Sequence, residues 1–310
     1  MKAHSSLIQE TLACSMNKWL YDYKKNSVKT ATFERLVISY RSMLAYPIAN
    51  TRLMDLTTRD VQMYINKMLD DEYSYSTIKK QFNLISAFIR FLLGEGVPVL
   101  PVHLNVIMPS QDKVPSKRDT DAYNKRDQEK LLCAMDDSQG STAMLLMLET
   151  GMRIGEVLAL RWGDILWQRR AIRIHSTLVH PQGQAKSYVQ EGAKSRSSNR
   201  TIPLSTRAYT LLDGIYGGQD GLVFPSTRDP DVSVGYNAIR KQIQGLCNEA
   251  GVKYRGMHVF RHTFATNCYY KGCDIKILSK LLGHASVTVT YNTYINLYGD
   301  ALEEMRSVVG

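Results

Sequence analysis

The chain has 310 residues, enough for two domains of ordinary size, and 44% of them are hydrophobic, as in globular proteins. Its longest apolar runs, such as residues 143–148, fall far short of the ~20 residues of a membrane-spanning helix, and its start lacks a secretory pattern, so we expect a cytoplasmic protein. The formal net charge of +10 favours a polyphosphate partner such as DNA or RNA, because each cation that neutralises a phosphate releases a condensed counterion.

The first hundred residues are predicted to form four amphipathic helices. Apolar side chains recur there at helical spacing, and polar residues separate the stretches. The helices are expected at residues 7–24, at residues 33–46, after Thr57 or Thr58 as N-cap, and after Ser76 with an end at Gly94. Their apolar stripes would pack together as a small bundle.

A polar and basic stretch follows at residues 105–123. It contains Pro109 and Pro115 and has no apolar periodicity. Such a composition is typical of an interdomain linker. We therefore predict one domain at residues 1–104 and a second at residues 124–310.

The second half is predicted to be α+β: mostly helical, with a small antiparallel sheet. Helices are expected at residues 127–135, 142–149, 206–215, 236–250, 259–270 and 274–282. Between them, alternating or β-branched residues predict strands at residues 171–178, 187–190 and 200–204.

Three separated segments carry basic and phenolic residues that suggest chemistry. The first, TGMRIGEVLALRW at residues 150–162, places Arg153 at a helix start beside Gly151 and Gly155, which allow tight turns. An arginine there can direct its planar guanidinium group at phosphate oxygens. Taken alone, a surface arginine near a helix start is the simpler interpretation.

The second segment is HVFRHTFAT at residues 258–266. His258 and Arg261 are three residues apart and would share one helix face. His258 and His262 have the spacing of a zinc-binding pair, but valine rather than a glutamate base follows His258 and no third ligand is evident. Zinc is therefore not favoured.

The third segment is LLGHASVTVTYNTY at residues 281–294. Gly283 is predicted to cap the preceding helix and to turn His284 outward. A lone histidine in such a place is usually structural, so its meaning depends on the other two segments.

The three segments, in this order, resemble the signature boxes of the tyrosine recombinase (phage integrase) family: TGxRxGE, HxxR, and LGH followed about ten residues later by tyrosine. The resemblance covers roughly residues 125–300, and the helical first half is similar to the family's core-binding domain. It implies cleavage and rejoining of double-stranded DNA through a 3′-phosphotyrosyl intermediate. It also implies four protomers on paired sites, no metal, no cofactor and no ATP, and it favours the integrase of a mobile element.

The resemblance also implies roles for individual residues. The two catalytic arginines fall on Arg153 and Arg261, the histidine of the second box on His258, and that of the third box on His284. The family's hairpin lysine falls on Lys194, within GAKSRSSNRTIPL. Lys186, Arg196 and Arg200 are competing candidates for this role. Glu156 is expected to orient or support the site.

The nucleophile is predicted to be Tyr294. Many family members have nine residues from the LGH histidine to the tyrosine, which would give Thr293 here. A branch with a VTxNTY ending has ten, and residues 289–294 match it. Tyr291 and Tyr298 are the alternatives, in that order.

These residue types suit the reaction. Two arginines and a histidine could stabilise the negative charge that develops on the nonbridging oxygens of the phosphate. A phenol has a pKa near ~10 and needs a base, for which His258 is the candidate. Lys194 is the candidate acid for the leaving 5′-oxygen.

Two other functions stay open at this point. A type IB topoisomerase-like enzyme uses the same chemistry but relaxes DNA without strand exchange. A non-catalytic DNA-binding protein would bind its site without forming a covalent adduct. The DNA target, and the choice between integration, excision, inversion and dimer resolution, do not follow from the sequence.

Overall fold

A computed structural model of the chain describes residues 9–110, 114, 122–179, 187–191, 199–218, 220–284 and 286–294. For residues 191 and 292–294 it describes the backbone alone. Lys186, Lys194, Arg196 and Tyr298 lie outside the described residues. The chain divides into two compact units, residues 1–118 and 119–310.

The first unit contains the four predicted helices. They are α1 (Leu12–Lys18), α2 (Thr30–Met43), α3 (Thr58–Asp70) and α4 (Tyr75–Gly94). A π-helical segment, Trp19–Lys24, continues α1. Apolar residues from all four helices form one core, in which the rings of Trp19 and Phe88 lie 5.4 Å apart.

Side-chain caps decide where these helices begin. Thr57 and Asp60 form a reciprocal capping box at the start of α3, as the predicted N-cap at Thr57 or Thr58 requires. Helix α4 begins earlier than predicted, because the Ser74 hydroxyl accepts a hydrogen bond from the Thr77 backbone amide. Ser76 therefore lies inside the first turn.

The start of the predicted linker packs against the helices of the first unit, of which it is part. Ile107 donates its backbone amide to Gln62 Oε1 at 2.8 Å and accepts a bond from Gln62 Nε2 at 3.0 Å. Val106 and Met108 pack against the core. Most of residues 111–121 lies outside the described part of the chain, so the linker stays a prediction.

The second unit is mixed. Its helices are α5 (Lys125–Cys133), α6 (Gln139–Thr150), α7 (Ile154–Leu158), α8 (Thr206–Ile215), α9 (Tyr236–Glu249), α10 (Met257–Tyr270), α11 (Ile275–Leu282) and α12 (Val287–Tyr294). Its strands are β1 (Ile165–Leu166), β2 (Ala171–Ile174), β3 (Ser176–Val179), β4 (Tyr188–Glu191) and β5 (Arg200–Pro203). This arrangement confirms the predicted fold class.

The strands form two antiparallel sheets rather than one continuous sheet. One has the order β1-β2-β5, with Ile172 opposite Ile202, and the other pairs β3 with β4. The strand predicted at residues 171–178 is therefore divided at His175. The ring of His175 contacts the buried carboxylate of Asp164 at 2.8 Å, and the chain leaves the first sheet at this point.

Helix α6 is the central helix of the second unit. Residues 143–148, the longest apolar run, are all buried and pack in the core with α9 and α10 residues such as Ile243 and Phe260. None of the described helices is long and apolar enough to cross a membrane. The run is apolar on every side because this helix is surrounded by protein.

Candidate active site

The turn between α6 and α7 positions Arg153. Helix α6 ends at Gly151, which has a φ of +67°, and a Cβ atom there would lie 2.4 Å from Phe264 Cδ1. Gly155 serves a different purpose, because its missing Cβ allows close approach to the Leu178 carbonyl. Only the first of these glycines is thus needed for the turn itself.

Arg153 and Glu156 cap the short helix α7 together. The Arg153 backbone amide donates to Glu156 Oε2 at 2.8 Å, and its Nη1 donates to Glu156 Oε1 at 2.9 Å. The Arg153 side chain keeps about a third of its surface exposed. It is thus held in place and can still reach a ligand.

Three arginines from distant parts of the chain donate hydrogen bonds to backbone carbonyls at the C-terminal (carbonyl) end of α11. Arg200 Nε donates to the Leu281 carbonyl at 2.6 Å, Arg261 Nη2 to the Leu282 carbonyl at 2.6 Å, and Arg153 Nη2 to the Gly283 carbonyl at 3.2 Å. The last carbonyls of a helix lack intrahelical partners and carry partial negative charge. This helix end therefore brings the three guanidinium groups together.

Arg261 also joins the first two motif segments. Its Nη1 donates to the Gly151 carbonyl at 2.8 Å, and the residue is only 7% exposed. The sequence suggested a shared face with His258 but not this burial. The carbonyls of Gly151 and Leu282 satisfy the buried guanidinium group.

Glu156 is the buried anion of the site. Arg200 binds it through two hydrogen bonds, Nη1 to Oε1 at 2.9 Å and Nη2 to Oε2 at 2.7 Å. Burial raises the pKa of Glu156, but the hydrogen bonds and positive charges of Arg200 and Arg153 outweigh it, and the net shift is downward. The carboxylate stays ionised and supports both arginines.

Arg200 therefore takes part in the site in a way that the sequence did not suggest. It was a competing candidate for the role of Lys194, yet its side chain is nearly fully buried against Glu156 and Leu281. No sequence pattern indicates this pairing, because 44 residues separate Arg200 from Glu156. The fold alone reveals which glutamate it meets.

Both predicted site histidines are influenced by the same arginines. Desolvation by the surrounding protein, then Arg261 and Arg153, lower the pKa of His258. Burial, then Arg261, Arg153 and Arg200, lower the pKa of His284 to about 4. Both imidazoles are thus neutral at neutral pH, and His258, an exposed residue at the start of α10, can accept a proton.

Thr290, which no sequence motif indicated, holds the ring of His284. Its Nδ1 atom lies 2.7 Å from the Thr290 hydroxyl, and Thr290 is fully buried. Gly283, in the left-handed conformation with φ +64°, ends α11 and confirms the predicted cap. Thr290 belongs to none of the motif residues, so only the fold reveals this contact.

The candidate nucleophile lies at the end of α12. Tyr294 is the last residue of this helix, and its side chain lies outside what the structure describes. Residues four apart share a helix face, so Tyr294 is on the face of Thr290, which contacts His284. Tyr291 directly follows Thr290, about 100° from it around the helix axis, and is 44% exposed.

The site as a whole is cationic. Three guanidinium groups and one carboxylate leave a net charge of +2 when the histidines are neutral. Arg153, Arg261, His258 and His284 are brought together, whereas Lys194 lies outside the described residues. Such a site can bind an anion such as a phosphate diester and supply neutral imidazoles for proton transfer.

Models of known families match both halves of the chain. The model of the phage integrase family matches residues 123–300, more than half of the chain. The model of the SAM-like N-terminal domain of phage integrases matches residues 11–69.

Individual relatives match most of the chain. A tyrosine recombinase XerC-like protein of Caldanaerobacter subterraneus subsp. tengcongensis is 26% identical over 310 residues, covering 93% of this chain and 79% of the relative. The transposase from transposon Tn916 of Enterococcus faecalis is 26% identical over 269 residues, covering 80% of this chain and 65% of the relative.

Solved structures show the same fold. The Tn1549 transposon integrase in complex with transposon right end DNA has a TM-score of 0.72 at 20% identity, covering 94% of this chain and 98% of that one. A lambda integrase tetramer bound to a Holliday junction has a TM-score of 0.67 at 18% identity, covering 92% and 77%.

Proposed function

The chain belongs to the phage integrase family of tyrosine recombinases, and on this basis we propose that it recombines DNA at specific sites with Tyr294 as its nucleophile. The relatives include a transposase, and the structural neighbours include a transposon integrase. These favour integration or excision of a mobile element as the biological task.

One observation carries the proposal. Arg153, Arg261 and Arg200 come from separate parts of the chain and meet at the carbonyl end of α11, beside His258 and His284. A cluster of buried and partly buried cations is costly unless negative charge balances it. Glu156 supplies one negative charge, and a DNA phosphate would supply the next.

Arg153, Arg261 and His284 are proposed to bind the nonbridging oxygens of the scissile phosphate. Guanidinium groups match these oxygens in geometry and charge. Donors that are already in place stabilise the charge that grows on the oxygens during attack, and they need no rearrangement. Glu156 and Arg200 act indirectly, by holding Arg153 and the end of α11.

In the cleavage step, the Tyr294 oxygen bonds to phosphorus while the bond from phosphorus to the 5′-oxygen breaks. His258 is the proposed base that takes the phenol proton, and its lowered pKa keeps it neutral for that purpose. Lys194 is the proposed acid that gives a proton to the leaving 5′-oxygen. Rejoining is the reverse reaction with a new 5′-hydroxyl, so the phosphodiester energy is retained and ATP is not required.

The proposed assembly is four protomers on two double-stranded sites, in the cytoplasm where a bacterial chromosome lies. The chain's net charge of +10 suits such a partner. A related fold, lambda integrase, has been solved as a tetramer on a Holliday junction. The proposed linker at residues 105–123 would join the DNA-clamping domain to the catalytic domain.

The test uses a nicked suicide duplex taken from the repeats that flank the gene. Wild-type protein should become covalently attached to it, whereas Tyr294→Phe should bind equally and form no adduct. Tyr291→Phe is the matched control on the same helix and should be trapped like the wild type.

Two outcomes would overturn the proposal. Wild-type protein that binds the flanking duplexes and forms no adduct on any of them would be a non-catalytic DNA-binding protein. Relaxation of supercoiled plasmid without exchange of strands between two sites would indicate a topoisomerase-like enzyme.

A further inference from the structure

His284, the histidine of the third motif, contacts Thr290, which is not one of the motif residues. The two atoms, His284 Nδ1 and Thr290 Oγ1, are 2.7 Å apart, and Thr290 is fully buried. Among the described residues, the other ring nitrogen, Nε2, has no hydrogen-bond partner. The ring is thus held through one nitrogen and is available to a ligand through the other.

The protonation pattern of this ring matters for the reaction. Burial and three neighbouring arginines keep His284 neutral at neutral pH, so only one of its nitrogens carries hydrogen. A nonbridging phosphate oxygen is a hydrogen-bond acceptor. His284 can stabilise it only when the hydrogen is on Nε2, and this requires Nδ1 to be an acceptor.

We propose that Thr290 is a positioning residue that donates its hydroxyl hydrogen to His284 Nδ1 and thereby directs Nε2–H at the scissile phosphate. The inference rests on the proposed recombinase function and specifies how one of its phosphate ligands is kept in the productive form. A partner that fixes the tautomer of a histidine is a recurrent device in enzymes.

The same bond joins the ring to the helix of the nucleophile. Thr290 lies in α12, four residues before Tyr294 and on the same face. The helix can therefore present its tyrosine while His284 is oriented toward the phosphate. Because this contact joins the ring to α12, the position of α12 and the orientation of His284 depend on each other.

The test compares three variants in single-turnover cleavage of the suicide duplex. Thr290→Val keeps the shape of the side chain but removes the hydroxyl, and it should slow cleavage about tenfold with unchanged DNA binding. Thr290→Ser keeps the hydroxyl and should restore most of the rate. Thr288→Val, at an exposed position of the same helix, should cleave like the wild type.

A double-mutant cycle separates positioning from a general effect on the helix. In a His284→Ala background, Thr290→Val should slow cleavage no further, because the ring through which Thr290 acts is absent. A Thr290 that only supports α12 would slow cleavage by the same factor in both backgrounds. Thermal unfolding of each variant monitors folding.

Failure of this inference differs from failure of the proposed function. Equal slowing in both backgrounds, no rescue by Thr290→Ser, or no slowing by Thr290→Val would overturn the role of Thr290 while the wild type still forms its adduct. Absence of any adduct from wild-type protein would overturn the function itself.

Discussion

At the scale of single residues, the site is a set of charges whose states are fixed by their neighbours. Glu156 illustrates this. It is buried, and it stays ionised because Arg200 and Arg153 bind its carboxylate. Arg200 in turn is nearly fully buried, so each of the two charges needs the other. Removal of either would leave an uncompensated charge inside the protein.

Glu156→Gln should therefore lower the free energy of unfolding of the second unit by roughly 3 kcal/mol. Urea unfolding at neutral pH measures the change. The matched control is Glu149→Gln, which removes the partner of the exposed Arg207 and should cost less than about 1 kcal/mol. Equal losses in the two variants would show that the Glu156–Arg200 pair has no special contribution.

His284 gives a prediction about pH. Its pKa is lowered from 6.5 to about 4, so the unfolded chain takes up this proton first and stability falls as the pH drops from 6.5 toward 4. The loss is at most about 3 kcal/mol. His284→Gln should flatten this part of the profile, measured by urea unfolding across that pH window. An unchanged slope in the variant would contradict the buried, cationic surroundings of His284.

At the scale of elements, helix ends do most of the positioning. Gly151 ends α6 in the left-handed backbone conformation, and its carbonyl accepts a hydrogen bond from Arg261. Gly283 ends α11 in the same conformation and precedes His284. The site is therefore built from the C-terminal ends of α6 and α11 and the N-terminal starts of α7 and α10. A change at one of these ends should affect stability and chemistry together.

Gly151→Ala tests this directly. The new Cβ would meet Phe264 at 2.4 Å in a backbone conformation that alanine disfavours, so the cost should exceed about 2 kcal/mol, and cleavage should slow. Gly251→Ala is the control, since Gly251 has a φ of +62° with open space around it and should lose only about 1 kcal/mol. Urea unfolding measures the loss of unfolding free energy in both variants. Equal losses would contradict the predicted clash between a Cβ at position 151 and Phe264.

The elements show how far sequence reasoning reaches. Periodicity located the four helices of the first unit and most of those in the second, but not α12. Thr57 and Gly283 were identified as caps because capping depends on local residues. Residues 171–178 were predicted as one strand, since alternation gives no information about a change of partner at His175. The contact of Thr290 with His284 was missed because a buried threonine has no distinctive pattern in the sequence.

At the scale of the whole molecule, the fold brings together segments that lie far apart in the chain. Motif spacing nominated Arg153, His258, Arg261 and His284, and the structure brings these side chains together. It could not nominate Arg200 as the partner of Glu156, because 44 residues separate them and only the packed second unit joins them. The roles of Lys194 and Tyr294 stay predictions, to be decided by trapping experiments.

The chain's net charge of +10 leads to a prediction about salt. Binding to double-stranded DNA should weaken by roughly 10³–10⁵-fold between about 50 and 200 mM salt if six to ten phosphates are contacted, because counterions are released on binding. Cleavage of the suicide duplex at saturating protein should change far less if it depends, as proposed, on one phosphate bound by Arg153 and Arg261, since salt screens such buried or part-buried charges weakly. Titrations by fluorescence anisotropy and single-turnover rates at matched salt concentrations separate the two quantities. Two results would contradict this prediction. One is DNA binding that depends only weakly on salt, and the other is a cleavage rate that falls with salt as steeply as the affinity does.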